Sequence, residues 1–235
     1  MHKAVAALLF AFVVLPQSPG VAQSTSMAGR KLTYVWREEP KPAKPAVVIT
    51  AEDVQTVLKS PGGDHQIAIV DAGKFNLCVG ARRTLPSPTA QTAGTAPAQR
   101  SSAPASQYPV LRCGANAGTL SGASGISHDE QTETYVIIAG TATLVTGGVI
   151  VNGTQSGPDA EPTRVLNGPS CSGAIGGEGV LKRAVKPGDI AIIPPNTPHG
   201  WLDVKSTFDY ILVRQDPDHA LPAGYVHPSI ASNHQ

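Results

Sequence analysis

The chain has 235 residues and a mass of 24.2 kDa, which suits one large domain or at most two small ones. Hydrophobic residues reach 41%, enough for a core, while 24 glycines and 21 prolines argue against a helical bundle or a coiled coil. A formal charge of +1 with no run of Lys or Arg offers no positive surface to displace counterions, which argues against a nucleic-acid binder.

Met1-His2-Lys3 precedes an unbroken apolar run from Ala4 to Leu15. A membrane-spanning helix needs roughly 20 such residues and a signal-peptide core only about 7–15. Small residues at Gly20 and Ala22 then place a cleavage site after Ala22, so residues 1–22 read as a signal peptide. Cleavage removes Lys3 and leaves 17 basic and 17 acidic residues on a neutral, periplasmic or secreted protein with no membrane partner. In such an oxidising compartment Cys78, Cys113 and Cys171 allow one disulfide in any of three pairings, with one thiol left over. Asn152-Gly153-Thr154 fits the N-glycosylation pattern, which matters only in a eukaryotic source.

Residues 23–46, with Glu39-Pro40-Lys41-Pro42-Ala43-Lys44-Pro45, read as a flexible Pro/Lys-rich arm ahead of a single domain at 47–235. Thr50-Ala51-Glu52-Asp53 is a capping signature, and Val54, Val57 and Leu58 follow at helical spacing, which predicts a short N-terminal helix at 51–59. Pro61-Gly62-Gly63 stops it. Apolar strands are predicted at Ile67–Val70 and Phe75–Ala81. Residues 84–109 are nearly all Ala, Pro, Ser, Thr, Gln and Gly; they cannot bury enough apolar surface to offset their ordering entropy and read as a low-complexity insertion.

From about Val110 to Arg214 short strands alternate with glycine turns, the clearest at Glu133–Ala139, Ala142–Thr146, Val149–Val151, Gly179–Val185, Asp189–Pro194 and Phe208–Arg214. Without intervening helical periodicity this predicts an antiparallel sandwich or barrel. Gly173–Gly179 lacks the Lys and Ser/Thr of a phosphate loop and reads as a turn, and the tail after Asp216 shows no periodicity.

Two segments carry potential chemistry. In the first, His128 precedes a turn and Glu133 opens the strand beyond it. In the second, Asp189–Pro194 forms a strand ended by two prolines and His199 starts the next. Two imidazoles and one carboxylate in a rigid barrel interior suit a divalent transition metal such as Fe, Mn, Ni or Zn. Strand alternation puts Tyr135 on the face of Glu133 and Trp201 on the face of His199. His65, His219, His227 and His234 fall outside these segments and read as surface residues.

At these residues the sequence resembles the cupin superfamily. The family's first motif is glycine, five residues, His-x-His, three or four residues, Glu, six residues, glycine. Its second is glycine, five residues, proline, one residue, glycine, two residues, histidine. His128, Glu133 and Gly140 match the first, and Gly188, Pro194 and His199 match the second. The resemblance covers residues 66–214 and implies an all-β, double-stranded β-helix or jelly-roll barrel with a metal on His128, Glu133 and His199. It departs where the family's first histidine is Ile126, read here as a core residue, and where Asn196 replaces the inner glycine, an exchange that a left-handed backbone tolerates. Gln131 or Glu130 offers an oxygen for the missing ligand, and Glu130 and Tyr135 are the candidate acid/base residues.

Three functions remain open on sequence. One is a small-molecule metalloenzyme of dioxygenase, isomerase or lyase type. Another is a non-catalytic barrel binding a sugar or organic acid, and the last is a structural homodimer.

Overall fold

The computed structural model describes residues 45–61, 63–86 and 108–234, so the predicted signal peptide, most of the arm and most of the insertion lie outside the described residues. The helix α1, Ala51–Val57, starts as its signature requires. The Thr50 side chain accepts from the Asp53 N–H at 3.1 Å, and the Asp53 carboxylate accepts from the Thr50 N–H at 2.9 Å. It ends two residues earlier than predicted because the last turn tightens, Lys59 N–H bonding to Thr56 O ahead of Pro61. Among the described residues no helix is long and apolar enough to cross a membrane.

Twelve strands follow: β1 Asp64–Asp71, β2 Asn76–Thr84, β3 Leu111–Cys113, β4 Leu120–His128, β5 Thr132–Ala139, β6 Ala142–Thr146, β7 Val149–Gln155, β8 Ser170–Gly176, β9 Leu181–Val185, β10 Ile190–Ile193, β11 His199–Leu202 and β12 Phe208–Asp216. They form a five-stranded sheet, β1-β2-β12-β5-β10, and a seven-stranded sheet, β3-β7-β8-β4-β11-β6-β9. Every strand pairing within them is antiparallel. The inner faces meet in one cluster, Tyr135, Ile137, Phe208, Tyr210 and Leu212 from the first sheet against Leu144, Val185 and Trp201 from the second. This is the all-β, two-sheet barrel expected from the strand pattern.

The outer face of the five-stranded sheet is covered locally. Val54 and Val57 of α1 and the C-cap residue Leu58 pack with Ile67, Ala81 and Ile230, and Ile230 comes from the 3₁₀ turn Pro228–His234. The tail is therefore part of the fold, held by Tyr225 O accepting from Ile69 N–H at 3.0 Å and by the buried Leu221.

One sequence reading is corrected: Gly173–Gly176 is strand, the end of β8, and only the residues after it turn. Glycines serve there because the strands leave no room for side chains. A Cβ on Gly173 would lie 2.9 Å from Gly153 Cα on β7. A π-helical turn at Pro162–Leu166, between β7 and β8, carried no sequence signal.

Of the three cysteine pairings the structure selects Cys113–Cys171. These residues lie on β3 and β8, with β7 between them, and the bridge crosses the middle strand at Gly153, where a Cβ would sit 2.6 Å from Cys171 Sγ. Closing a loop of 58 residues removes unfolded-state entropy worth about 4 kcal/mol in the chain-entropy account. Cys78 is buried, and burial pushes its thiol up to about 12. Thiol titration with a chromogenic disulfide should therefore find none reactive in the native protein, one after denaturation and three after denaturation with reductant. A second thiol reacting without reductant would contradict the pairing.

Candidate metal centre

The two sheets bring the motif residues together across the barrel interior. His128 ends β4 and His199 opens β11, neighbouring strands of the seven-stranded sheet, while Glu133 faces them from β5 of the other sheet. Their ligand atoms lie within 4.8 Å of one another, and the three residues are 2%, 2% and 0% exposed for His128, His199 and Glu133. Gly125 and Gly200, opposite each other on β4 and β11, let these two strands close up. A Cβ on Gly125 would strike His199 O, and one on Gly200 would strike Ser124 O. The turn after His128 is clasped to the β10–β11 connection, Asn196 donating from its backbone to His128 O at 2.7 Å and from its side chain to Asp129 O at 3.0 Å. Asn196 has φ +60°, the left-handed conformation anticipated from its place in the motif.

Hydrogen bonds on the far side of each ring set its tautomer. Thr197 O lies 2.9 Å from His199 Nδ1, and a carbonyl only accepts, so Nδ1 carries the proton. Ser170 Oγ lies 2.9 Å from His128 Nδ1 and 3.1 Å from both Asn167 O and Gly168 O. These carbonyls take the hydroxyl proton, so the serine offers His128 a lone pair and Nδ1–H again donates. Burial lowers the pKa of His128 more than the Glu133 carboxylate raises it, which keeps the ring neutral. Each Nε2 then presents a lone pair to the same oxygen, Glu133 Oε2, at 3.2 Å from His128 and 3.0 Å from His199. His199 Nε2 is buried and makes no hydrogen bond. Three lone pairs converging on one point fit a divalent cation, and the outer hydrogen bonds that fix ligating imidazoles are already in place.

Glu133 has a second partner, which the sequence reading missed. Arg214 on β12 is its direct neighbour in the ladder, with Nε 2.6 Å from Oε1. The same guanidinium lies 2.9 Å from Asp64 Oδ2 and donates to Leu166 O at 3.0 Å. Burial opposes ionisation of Glu133, but the Arg214 guanidinium beside it outweighs burial and holds the carboxyl well below its ordinary range. A buried carboxylate here thus does not by itself require a metal, since an arginine already balances it. The only signal for this in sequence was an arginine closing an apolar strand, which is common.

The other expected residues fall as follows. Tyr135 is buried with its ring 5.8 Å from His199 and 5.4 Å from Trp201, and the Trp201 indole donates to the Tyr210 hydroxyl at 2.9 Å. Burial raises the Tyr135 phenol well above its ordinary value, so it is a proton donor at neutral pH and not a base. Glu130 is exposed on the turn and does not join the cluster. Gln131 is 4% exposed, and neither of its amide atoms has a partner. Ile126 is half-buried, not core; it pairs with His199 in the β4–β11 ladder, so an apolar side chain stands where the motif has its first histidine. His65 and His227 are half-buried with rings 5.7 Å apart, and His219 is exposed. An open cleft of about 540 Å³ around Thr143, Lys186, Asp203 and Lys205 shares no residue with the cluster.

No family model matches the chain, and no curated protein does. Among solved structures it is similar to an uncharacterised double-stranded β-helix protein from Klebsiella pneumoniae, at 15% identity over 74% of this chain and 93% of that one, TM-score 0.35. It is also similar to a Bacillus halodurans protein, at 11% identity over 81% and 96%, TM-score 0.36. A third is the cupin domain of Drosophila melanogaster CENP-C, at 10% identity over 74% and 84%, TM-score 0.30. This chain's own strand order and pairing define an antiparallel, two-sheet β-barrel that brings His128, Glu133 and His199 together in its interior.

Two outcomes follow. Replacing Arg214 by Met strands a buried carboxylate and should cost about 3–5 kcal/mol in urea unfolding, much of it recovered when Glu133→Gln is added. The pH dependence of the metal-free protein has a definite sign. The folded pKa of His128 is lowered, so stability is lost as pH falls below 6.5, where the unfolded ring takes up a proton that the folded one refuses. The Glu133 pKa is also lowered; its contribution is complete above 4.5 and is lost as pH falls through the folded value. Thermal melts should show both losses, and His128→Gln should shrink the first.

Proposed function

We propose that this chain is an exported protein that holds one divalent transition metal, Fe, Mn, Ni or Zn, on His128, Glu133 and His199, and binds or acts on a small molecule inside the barrel. The observation that carries the reading is the convergence of two imidazole lone pairs and Glu133 Oε2, with both Nδ1 protons committed elsewhere. Such a metal supplies Lewis acidity, or redox chemistry if it is iron or manganese. Around it the chain's own residues orient the ligands through Ser170 and Thr197, hold Glu133 ionised through Arg214, and exclude water with Tyr135 and Trp201. Export is supported by the apolar N-terminal run and by the Cys113–Cys171 bridge, which suits an oxidising compartment.

The Glu133–Arg214 pair favours a second reading, in which the charge-balanced cluster is metal-free and the barrel is a binding cavity. Metal analysis of the untagged mature chain, residues 23–235, separates the two. Near-stoichiometric metal in the wild type, lost in His128→Ala and in Glu133→Gln while circular dichroism stays unchanged, is expected. A folded, metal-free wild type that takes up no added metal would sink the metal reading. Cell fractionation with N-terminal sequencing, expected to begin at Gln23, tests export.

A further inference from the structure

The C-terminal tail is fastened to the barrel by a short run of backbone bonds and one histidine. β1 is an edge strand of the five-stranded sheet, and residues 224–227 lie along its open side. Val226 pairs antiparallel with Ala68, Gly224 N–H donates to Ile69 O at 2.8 Å, Ile69 N–H to Tyr225 O at 3.0 Å and His227 N–H to Ile67 O at 2.8 Å. An open edge is a template for another chain, and the tail closes it here. Beyond His227 the turn Pro228–His234 carries Ile230 into the cluster of Val54 and Val57, and the Asn233 side chain donates to Asp53 of α1 at 3.3 Å.

His227 caps that turn. Its Nδ1 accepts from Ser229 N–H at 3.2 Å, and its carbonyl accepts from Ile230 N–H at 3.0 Å. An accepting Nδ1 bears no proton, so the neutral, Nε2-protonated ring makes the cap. A second proton must go on Nδ1, where it points at the Ser229 N–H and the cap is lost. Against this ring stands His65 of β1, edge-on at 5.7 Å, with a buried Nε2 that has no hydrogen bond. Charge on one ring opposes charge on the other. The remaining charged and titratable groups of the packed elements are held away or exposed. Asp64 pairs with Arg214, Asp209 with Arg83, Asp53 caps α1, Asp71 takes Gly73 N–H, and His219 bonds to Asn76. Glu52 and Lys59 are exposed, Tyr225 stays neutral because burial raises its phenol, and the ladder partner of His65 on β2 is Ala81. Burial, with His65 beside it, lowers the pKa of His227. We propose that His65 and His227 form an acid-sensitive latch, whose protonation releases residues 224–234 from β1 and α1 and uncovers the sheet edge while the barrel stays folded. The latch does not depend on the metal reading. Because the folded pKa of His227 is lowered, its hold is complete above 6.5 and is lost as pH falls below that value.

The test is hydrogen–deuterium exchange of the full mature chain, read by mass spectrometry from about pH 7.5 to about pH 5, the range in which histidine titrates. After correction for the pH dependence of chemical exchange, protection of residues 224–234 and of the Ile69 amide should fall by about tenfold, the equivalent of one unit of pKa difference, while β5 and β12 keep theirs. His227→Asn retains a capping acceptor that takes up no proton, so its tail should stay protected across the whole range. His65→Gln removes the opposing ring and should move the release to higher acidity. Tail protection that does not change with pH would overturn the proposal, as would equal acid release in His227→Asn. Loss of protection in the tail together with β5 and β12 would also overturn it, because the event is then global unfolding driven by His128. Should His227→Asn not fold, the wild-type comparison of the tail with β5 and β12, and the shift in His65→Gln, still decide.

Discussion

Everything in the barrel interior depends on one buried pair, Glu133 and Arg214. Neither charge can be left alone at that depth, because an unmatched buried ion costs several kcal/mol. Their ladder positions are directly opposed on β5 and β12, so the register of these two central strands is tied to charge neutrality. A slip of β5 by one residue would turn Glu133 outward and leave Arg214 opposite Thr132 or Thr134, a buried charge without its partner. Arg214 also reaches Asp64 on β1 and Leu166 O at the end of the π-helical turn. One guanidinium thus joins two strands to the carboxylate-bearing strand and fixes the end of the segment that leads to Ser170 and His128.

That segment has a second task. Residues 167–170 supply the carbonyls and hydroxyl that orient His128, and Asp129 N–H donates to Pro169 O at 3.1 Å. His199 is oriented by its own preceding loop through Thr197, and Asn196 in that loop binds the turn after His128. The two imidazoles are therefore held by three short segments that hydrogen-bond to one another, not by the strands alone. Preorganisation of this kind keeps ligand atoms converged whether or not an ion is present.

The sequence made the ligand triad and the barrel legible because both are written in local spacing. Alternating apolar residues mark β5, β6 and β12, and glycine, proline and histidine stand at fixed intervals around β10 and β11. Strands β4 and β8 were hard to read because close approach of the chains demands glycine there, and glycine reads as turn. Arg214 was illegible for a different reason. Nothing in Val213-Arg214-Gln215 says that the arginine points inward; only the pairing of β12 with β5 does. The choice among three cysteine pairings likewise needed the order β3-β7-β8, with Gly153 leaving space for the bridge.

Ile126 draws these observations together. In the β4–β11 ladder it stands opposite His199, so the interior offers three protein ligands and an apolar neighbour where a fourth ligand could have been. A cation on His128, Glu133 and His199 would have its protein donors drawn from two sheets and one flank closed by hydrocarbon. Its remaining coordination must come from water or from a molecule that enters. Trp201, Tyr135 and Tyr210 occupy the adjoining interior in ring contact with one another. Buried polar atoms without a hydrogen-bond partner occur on β1 and β2 and also at Gln131 and Asn167. Asp64 on β1 holds Arg214 in place, so β1 and the ligand-holding side of the barrel are coupled through one guanidinium.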